Sequence, residues 1–288
     1  MNTRLLAIGA SFRHVAPMPT PTHVMIEPDL RGLDVVEAGW RTSPDMELRD
    51  YTDLYGNVGK RFIMPAGESV YSWKGVVRVP DAVDEADFDA PQVPIDELPD
   101  ETLPFLLPSR YCQSDVLSRD AWSLFGGLEP GYRRVEAICD YVYHRVEYRT
   151  GSTMSWYTAV DAFNNGYGIC RDLAHTFIAL CRALNIPARY ISGYLPDMDV
   201  PPLPTEMDFH AFTEVYLGDR WWTIDPRHNA RRKGHIVISR GRDAADCALA
   251  TYFGSPWLKR MLVTSHEVDA DGNAVGLRTG YDPQFPDD

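Results

Sequence analysis

The stretch NNGYGICRDLAHTFIALCRALNIPARY, residues 164–190, sets the frame for reading the chain. Gly166 and Gly168 make a turn and Cys170 follows. Leu173, Ala174, Phe177, Ile178, Cys181 and Leu184 then recur at helical spacing until Pro187 stops the run. The spacing predicts a loop opening a buried helix whose first turn carries a thiol. Two readings of Cys170 stay open here. It lies in phase with the apolar stripe, and free cysteine is among the most buried residue types, so one reading makes it a small core hydrophobe. The other uses its position: unpaired amides and the positive end of the helix macrodipole favour an anion and predict a lowered thiol pKa. Cys181 has only the first reading. So has Cys139, which shares a helical face with Val135, Ile138, Val142 and Val146 in GYRRVEAICDYVYHRVEY, residues 131–148.

A thiol nucleophile needs a base, and the base needs a group to orient it. DFHAFTEVYLGDRWWTIDPRHN, residues 208–229, offers both. Two alternating runs joined by Gly218-Asp219 predict a tight hairpin. With Leu217 opposite Arg220, Phe212 falls opposite Asp225 and His210 opposite Arg227. His210 and Asp225 then project from the same face as diagonal neighbours, roughly 7–8 Å apart by backbone. Taken singly, His210 reads as a surface or satisfied histidine and Asp225 before Pro226 as a turn cap. Together with Cys170 they fit a Cys-His-Asp triad. That reading predicts that Asp225→Asn harms turnover far more than folding.

These segments carry a resemblance. GICRDLAHTFIALCRALNIPARYISGYL, DFHAFTEVYLGDRWWTIDP and GRDAADCALATYFG, with LLPSRYCQSD and YRTGS before them, resemble the bacterial transglutaminase-like superfamily of the cysteine-protease type, from about Leu107 to Val263. The resemblance implies an α+β, papain-like core with the cysteine helix packed on an antiparallel sheet, preceded by an N-terminal antiparallel β domain. It implies Cys170 as nucleophile, His210 as general base and acid, and Asp225 as orienting group. It implies a thioester intermediate in the hydrolysis of a peptide or carboxamide, with acyl transfer to an amine or a non-catalytic interaction domain as alternatives. Trp156 and Asn164 are candidates for a second oxyanion donor beside the Cys170 amide, with core packing or a turn as their plainer roles. His175, one turn after Cys170, points near the site or packs.

The rest of the chain bounds the surroundings. HVMIEP, MELRDYTDLYG, VGKRFIMPAG and ESVYSWKGVVRVP are short, β-rich and separated by turn residues, predicting a β domain over residues 1–80. Residues 81–101 hold nine acids, no Lys or Arg, and repeated prolines, predicting an extended connector over 81–106 ahead of a catalytic domain over 107–288. TAVDAFNNG predicts a short helix capped by Thr158 and closed by Gly166. RHNARRKGH, residues 227–235, reads as a solvated basic loop, with attraction of an acidic substrate as the alternative. LPDMDVPPLPTEMDF, residues 195–209, and the Pro-rich connector are the alternative candidates for a closing lid. DADGNAVG, residues 269–276, is an Asp-Gly turn: Ala274 and Gly280 stand where a calcium loop needs Gly and Glu.

The 288 residues carry a formal charge of −13, which repels nucleic acid and anionic membranes. Five cysteines without a CxxC pair suggest neither disulfides nor a zinc ribbon, and no cofactor or metal is expected. The opening MNTRLLAIGASF has no signal-peptide pattern, so a cytoplasmic location is expected. The expected partner is a peptide, protein or small amide substrate; oligomeric state is left open.

Overall fold

The computed structural model describes residues 2–202 and 206–275. The N-terminal segment forms β1 (Thr3–Ala16), β2 (Thr20–Val24), β3 (Asp34–Ser43), β4 (Arg49–Thr52), β5 (Val58–Met64) and β6 (Gly67–Pro80). Long alternating strands β1 and β6 pair along their whole length, from Thr3 against Pro80 to Ala16 against Gly67. Leu6, Ile8, Ala10, Phe12, Tyr71, Trp73 and Val77 meet in one core, as period-two patterning requires. β1 and β3 lie outside the runs whose composition marks them as strands.

Next come α1 (Ser118–Phe125), α2 (Tyr132–Arg145), β7 (Glu147–Tyr148), α3 (Ala159–Asn165), β8 (Tyr167–Gly168) and α4 (Cys170–Ala183). The chain then forms β9 (Ala188–Tyr194), β10 (His210–Leu217), β11 (Arg220–Ile224), β12 (Ile236–Gly241), β13 (Ala250–Tyr252) and β14 (Trp257–Val268). Three antiparallel four-stranded sheets result, ordered β14-β1-β6-β3, β13-β2-β5-β4 and β11-β10-β9-β12. The third sheet carries the helices on one face, where Ala188, Tyr190, Val215 and Ile224 join the helical core. On its other face Tyr194, Ile236 and Ile238 join the core of the N-terminal strands. Strands buried on both faces explain why β9 and β10 are apolar or small at nearly every position. The architecture is α+β.

The expected elements form where their signals lie. Thr158 caps α3, exchanging hydrogen bonds with Asp161, and Gly166 ends it at φ 75°. Along α4 the predicted stripe is buried, but so is the polar side: Asp172, His175, Thr176 and Arg182 are all enclosed. Arg182 is tolerated there because it donates to the carbonyls of Ala188, Leu107 and Arg242. α4 is therefore a central helix, surrounded by the other three helices and the sheet.

Two segments tie the parts of the chain together. β13 and β14, assigned by sequence to the 107–288 catalytic domain, pair with β2 and β1 instead, returning the chain to the N-terminal sheets. The acidic connector is not simply extended: it forms two 3-10 turns, Ile95–Glu97 and Asp100–Leu106, and is firmly bound. Ala90 and Pro91 accept from the Tyr132 and Gly218 amides, Gln92 donates to the Leu184 carbonyl, and Phe105 is buried. After β14, Asp269 accepts from the amides of Asp271 and Asn273, the expected turn; Gly276 and Gly280 lie outside the described residues.

Candidate active site

Cys170 is the first residue of α4, and its position is fixed by the residue two further on. Asp172 accepts from the Ile169 amide at 3.0 Å, from Thr153 Oγ1 at 2.6 Å and from Arg171 Nε at 3.1 Å. Arg171 also donates to the Met154 carbonyl at 3.0 Å, so the 149–157 loop is clipped to the helix start. Asp172 was not singled out from sequence, although an acid at this helix position is the visible half of a capping pattern.

The hairpin has the computed register: Leu217 faces Arg220, and pairing runs to Thr213 against Ile224. Thr213 Oγ1 clamps it by donating to the Ile224 carbonyl at 2.8 Å. Asp225 follows directly, and its Oδ2 lies 2.9 Å from His210 Nε2. That contact leaves Nδ1 as the ring nitrogen free to serve another group. Cys170 and His210 line one cavity of about 380 Å³, together with Tyr148, Leu195, Met207, Asp208, Phe209, Arg227 and Arg232 among others. The Arg227 guanidinium stacks on Tyr148 at 4.1 Å.

Electrostatics differ from expectation at the thiol. Burial is the largest influence on Cys170 and raises its pKa, while the amides of Ala211 and Arg171 and the charge of Arg227 oppose the rise. Helix position alone predicted a lowered value. Burial likewise pushes His210 down to about 4, against the pull of Asp225. The resting pair is thus a neutral thiol and a neutral imidazole able to accept a proton.

Asp225 holds more than His210. His228 Nδ1 lies 2.6 Å and His235 Nε2 3.3 Å from the same Oδ2, while Oδ1 accepts from the Arg227 amide at 3.1 Å. Despite burial, these partners keep its carboxyl well below the usual range. With His210 neutral, His235 is a cation beside Asp225. Burial lowers His235, but Asp225 and Asp84 outweigh that and raise it to about 9. Ligand atoms of His210, Asp225 and His235 lie within 4.8 Å of one another, a spacing a metal ion also accepts.

The remaining predicted residues fall elsewhere. Trp156 is 65% exposed and Asn164 is exposed at the end of α3; neither lines the cavity. His175 is core: it stacks on Tyr111 and accepts from the Ala244 amide at 3.1 Å. The basic run is not a solvated loop, since Arg227, His228 and Arg232 line the cavity and His235 is buried behind it. Of the candidate lid, Leu195, Asp197 and residues 206–209 line the cavity, while 203–205 lie outside the described residues.

A sequence model of the transglutaminase-like superfamily matches residues 121–226. The crystal structure of a candidate cysteine protease from Cytophaga hutchinsonii superposes with a TM-score of 0.82 at 32% identity, covering 97% of this chain and 96% of that one. The protein belongs to the transglutaminase-like superfamily, a cysteine-type enzyme family. An uncharacterized Mycobacterium leprae protein is 32% identical over 119 residues, 40% of this chain and 42% of that protein. One from Mycobacterium bovis is 33% identical over 115 residues, 36% of each. The chain spans less than half the length of these mycobacterial relatives. Among the described residues no helix is long and apolar enough to cross a membrane.

Proposed function

We propose that the protein is a cysteine-dependent amide hydrolase acting through Cys170, His210 and Asp225. The observation that carries this reading is the opening of Cys170, at a helix start, into the same cavity as an imidazole hydrogen-bonded to a buried carboxylate. His210 Nδ1 takes the thiol proton as sulfur attacks a peptide or carboxamide carbonyl, and the Cys170 amide faces the oxyanion. The C–N bond breaks as the imidazolium protonates the departing amine, leaving a thioester. Water, deprotonated by His210, then attacks; the C–S bond breaks and the thiol is restored. Apolar Tyr148, Leu195, Met207 and Phe209 beside charged Arg227, Arg232, Asp197 and Asp208 suit a peptide-like amide better than a purely apolar acyl chain. A cytoplasmic location, where reducing conditions keep a free thiol unblocked, is part of this proposal.

The test is incubation of the native protein with a peptide and carboxamide library, read by mass spectrometry. Released amine and an acyl adduct on Cys170 support hydrolysis; amide products with an added amine would instead establish acyl transfer. Turnover undiminished in Cys170→Ala would end the proposal.

A further inference from the structure

Behind Asp225 the chain builds a second layer from residues outside the 121–226 match. His235, four-hundredths exposed at its side chain, places Nδ1 2.9 Å from Asp84 Oδ2 and Nε2 3.3 Å from Asp225 Oδ2. Both partners are carboxylates, which accept and do not donate, so both ring nitrogens must carry hydrogen and the ring is an imidazolium. Asp84 is equally constrained: Oδ2 accepts from the Arg232 amide at 3.0 Å, its own amide donates to the Arg232 carbonyl at 2.9 Å, and Val83 bridges Lys233. The acidic connector is thereby strapped along the basic loop. A cavity of about 240 Å³ is lined by Asp84, Glu136, Asp225 and Arg231 among others, and not by Cys170. The charged and titratable groups around His235 are Asp84, Asp225, His210, whose ring centre is 6.0 Å away, His228, which shares Asp225 Oδ2 with it, and Arg232, whose charge interacts with both carboxylates; the Phe212 ring, at 4.4 Å, is its apolar neighbour.

We propose that His235, held by Asp84 of the connector, is a positioning residue that supplies the resident positive charge for Asp225 and so keeps His210 neutral and aimed at Cys170. A second imidazolium so near His235 is electrostatically disfavoured, so His210 stays a free base. The connector thus completes the site electrostatically. This rests on the triad reading above.

The experiment is iodoacetamide alkylation of Cys170 across pH, with His235→Gln and Asp84→Asn, alongside NMR of the wild-type protein carrying ¹⁵N-histidine. In wild type, both His235 nitrogens are expected to be protonated at neutral pH. In His235→Gln the acid limb of the alkylation profile is expected to move up by about one pH unit or more, because His210 loses a like-charged neighbour. The plateau rate should fall on the order of tenfold or more as Asp225 loses its fixed geometry. Asp84→Asn should move both in the same direction by less. Variant profiles that superimpose on wild type, a neutral His235 tautomer, or a stoichiometric zinc ion lost in His235→Gln would overturn the proposal. If the variants do not fold, the wild-type NMR decides alone. Absence of selective Cys170 labelling in wild type would strike the triad reading and leave the His235 resonances to judge this one.

Discussion

Asp225→Asn is the most informative single change, because the structure alters what it should do. The sequence reading expects a catalytic lesion with little effect on folding. In the fold, however, Asp225 Oδ2 receives three imidazoles at 2.9, 2.6 and 3.3 Å in a side chain that is 1% exposed. An asparagine presents an amide –NH₂ or a neutral carbonyl to the same rings and leaves the His235 cation with Asp84 alone. Breaking a buried charge pair by neutralising one partner costs about 3–5 kcal/mol. At roughly 2–4 °C per kcal/mol for a chain of this size, the melting temperature should fall by about 6–20 °C. Activity should fall on the order of ten-thousandfold, as when a triad carboxylate is amidated. The folded carboxyl is depressed, so its stabilisation is full above the ordinary carboxylate range and lost as pH falls through its folded value. Thermal melts followed by circular dichroism at pH 7 and at pH 4 therefore test the sign as well as the size: the gap to wild type should stay wide at both, narrowing only once the pH falls well below the usual carboxylate range. A variant that melts within a degree or two of wild type at pH 7 would refute the three-imidazole account and restore Asp225 to a purely orienting role.

The other expectations are briefer. Limiting iodoacetamide at neutral pH should label Cys170 before Cys112, Cys139, Cys181 or Cys247, all fully enclosed and raised by burial; peptide mapping that finds any of these first would remove Cys170 as the nucleophile. His210, held at about 4, lends stability that fades as pH falls from its ordinary 6.5, and His235, held near 9, lends stability that fades as pH rises from 6.5 to 9. Urea unfolding should accordingly show a maximum near pH 6.5, and a maximum displaced to pH 9 would contradict the charge assigned to His235. Gly193→Ala should destabilise by about 1–3 kcal/mol, since its Cβ would meet the Ile236 carbonyl and the Phe212 ring; an unchanged urea midpoint would show that β12 is free to shift. An acylated enzyme offered a millimolar primary amine should yield mainly acid, and predominant amide would favour the transferase chemistry.

The legible parts of the fold were those whose signals are local. Thr158 with Asp161, Gly166, the α4 stripe and the Gly218-Asp219 turn each state their geometry within a few residues, and a two-residue loop fixes register across the whole hairpin. That is why the contact of His210 with Asp225 was computable. What escaped was set by pairing between distant segments. β14 closes on β1, more than two hundred residues away in sequence, and no local pattern distinguishes it from a strand of the catalytic sheet. His228 and His235 sat in plain view within a basic run, but charge composition reads such a run as solvated. Asp84, the partner of His235, is about 150 residues upstream, among nine acids that look interchangeable until the chain folds.

The thiol shows the same limit in energetic form. A helix start favours an adjacent anion by about 0.3–1 kcal/mol at an exposed site and up to ~2 in a partly buried one. Enclosure by the sheet acts in the opposite direction, and for Cys170 it is the larger influence. Sequence carries the first quantity, because it is local, and not the second, because that depends on what β10, Asp208 and Arg227 bring against Cys170. In the proposed triad, a thiol left protonated at rest places the burden of activation on His210, which must be neutral to accept the proton and aligned by a carboxylate whose charge is already balanced. His235 meets that second condition without drawing a proton onto His210. The basic loop and the acidic connector, which looked like surface features of opposite sign, then form one electrostatic unit with the nucleophile's base.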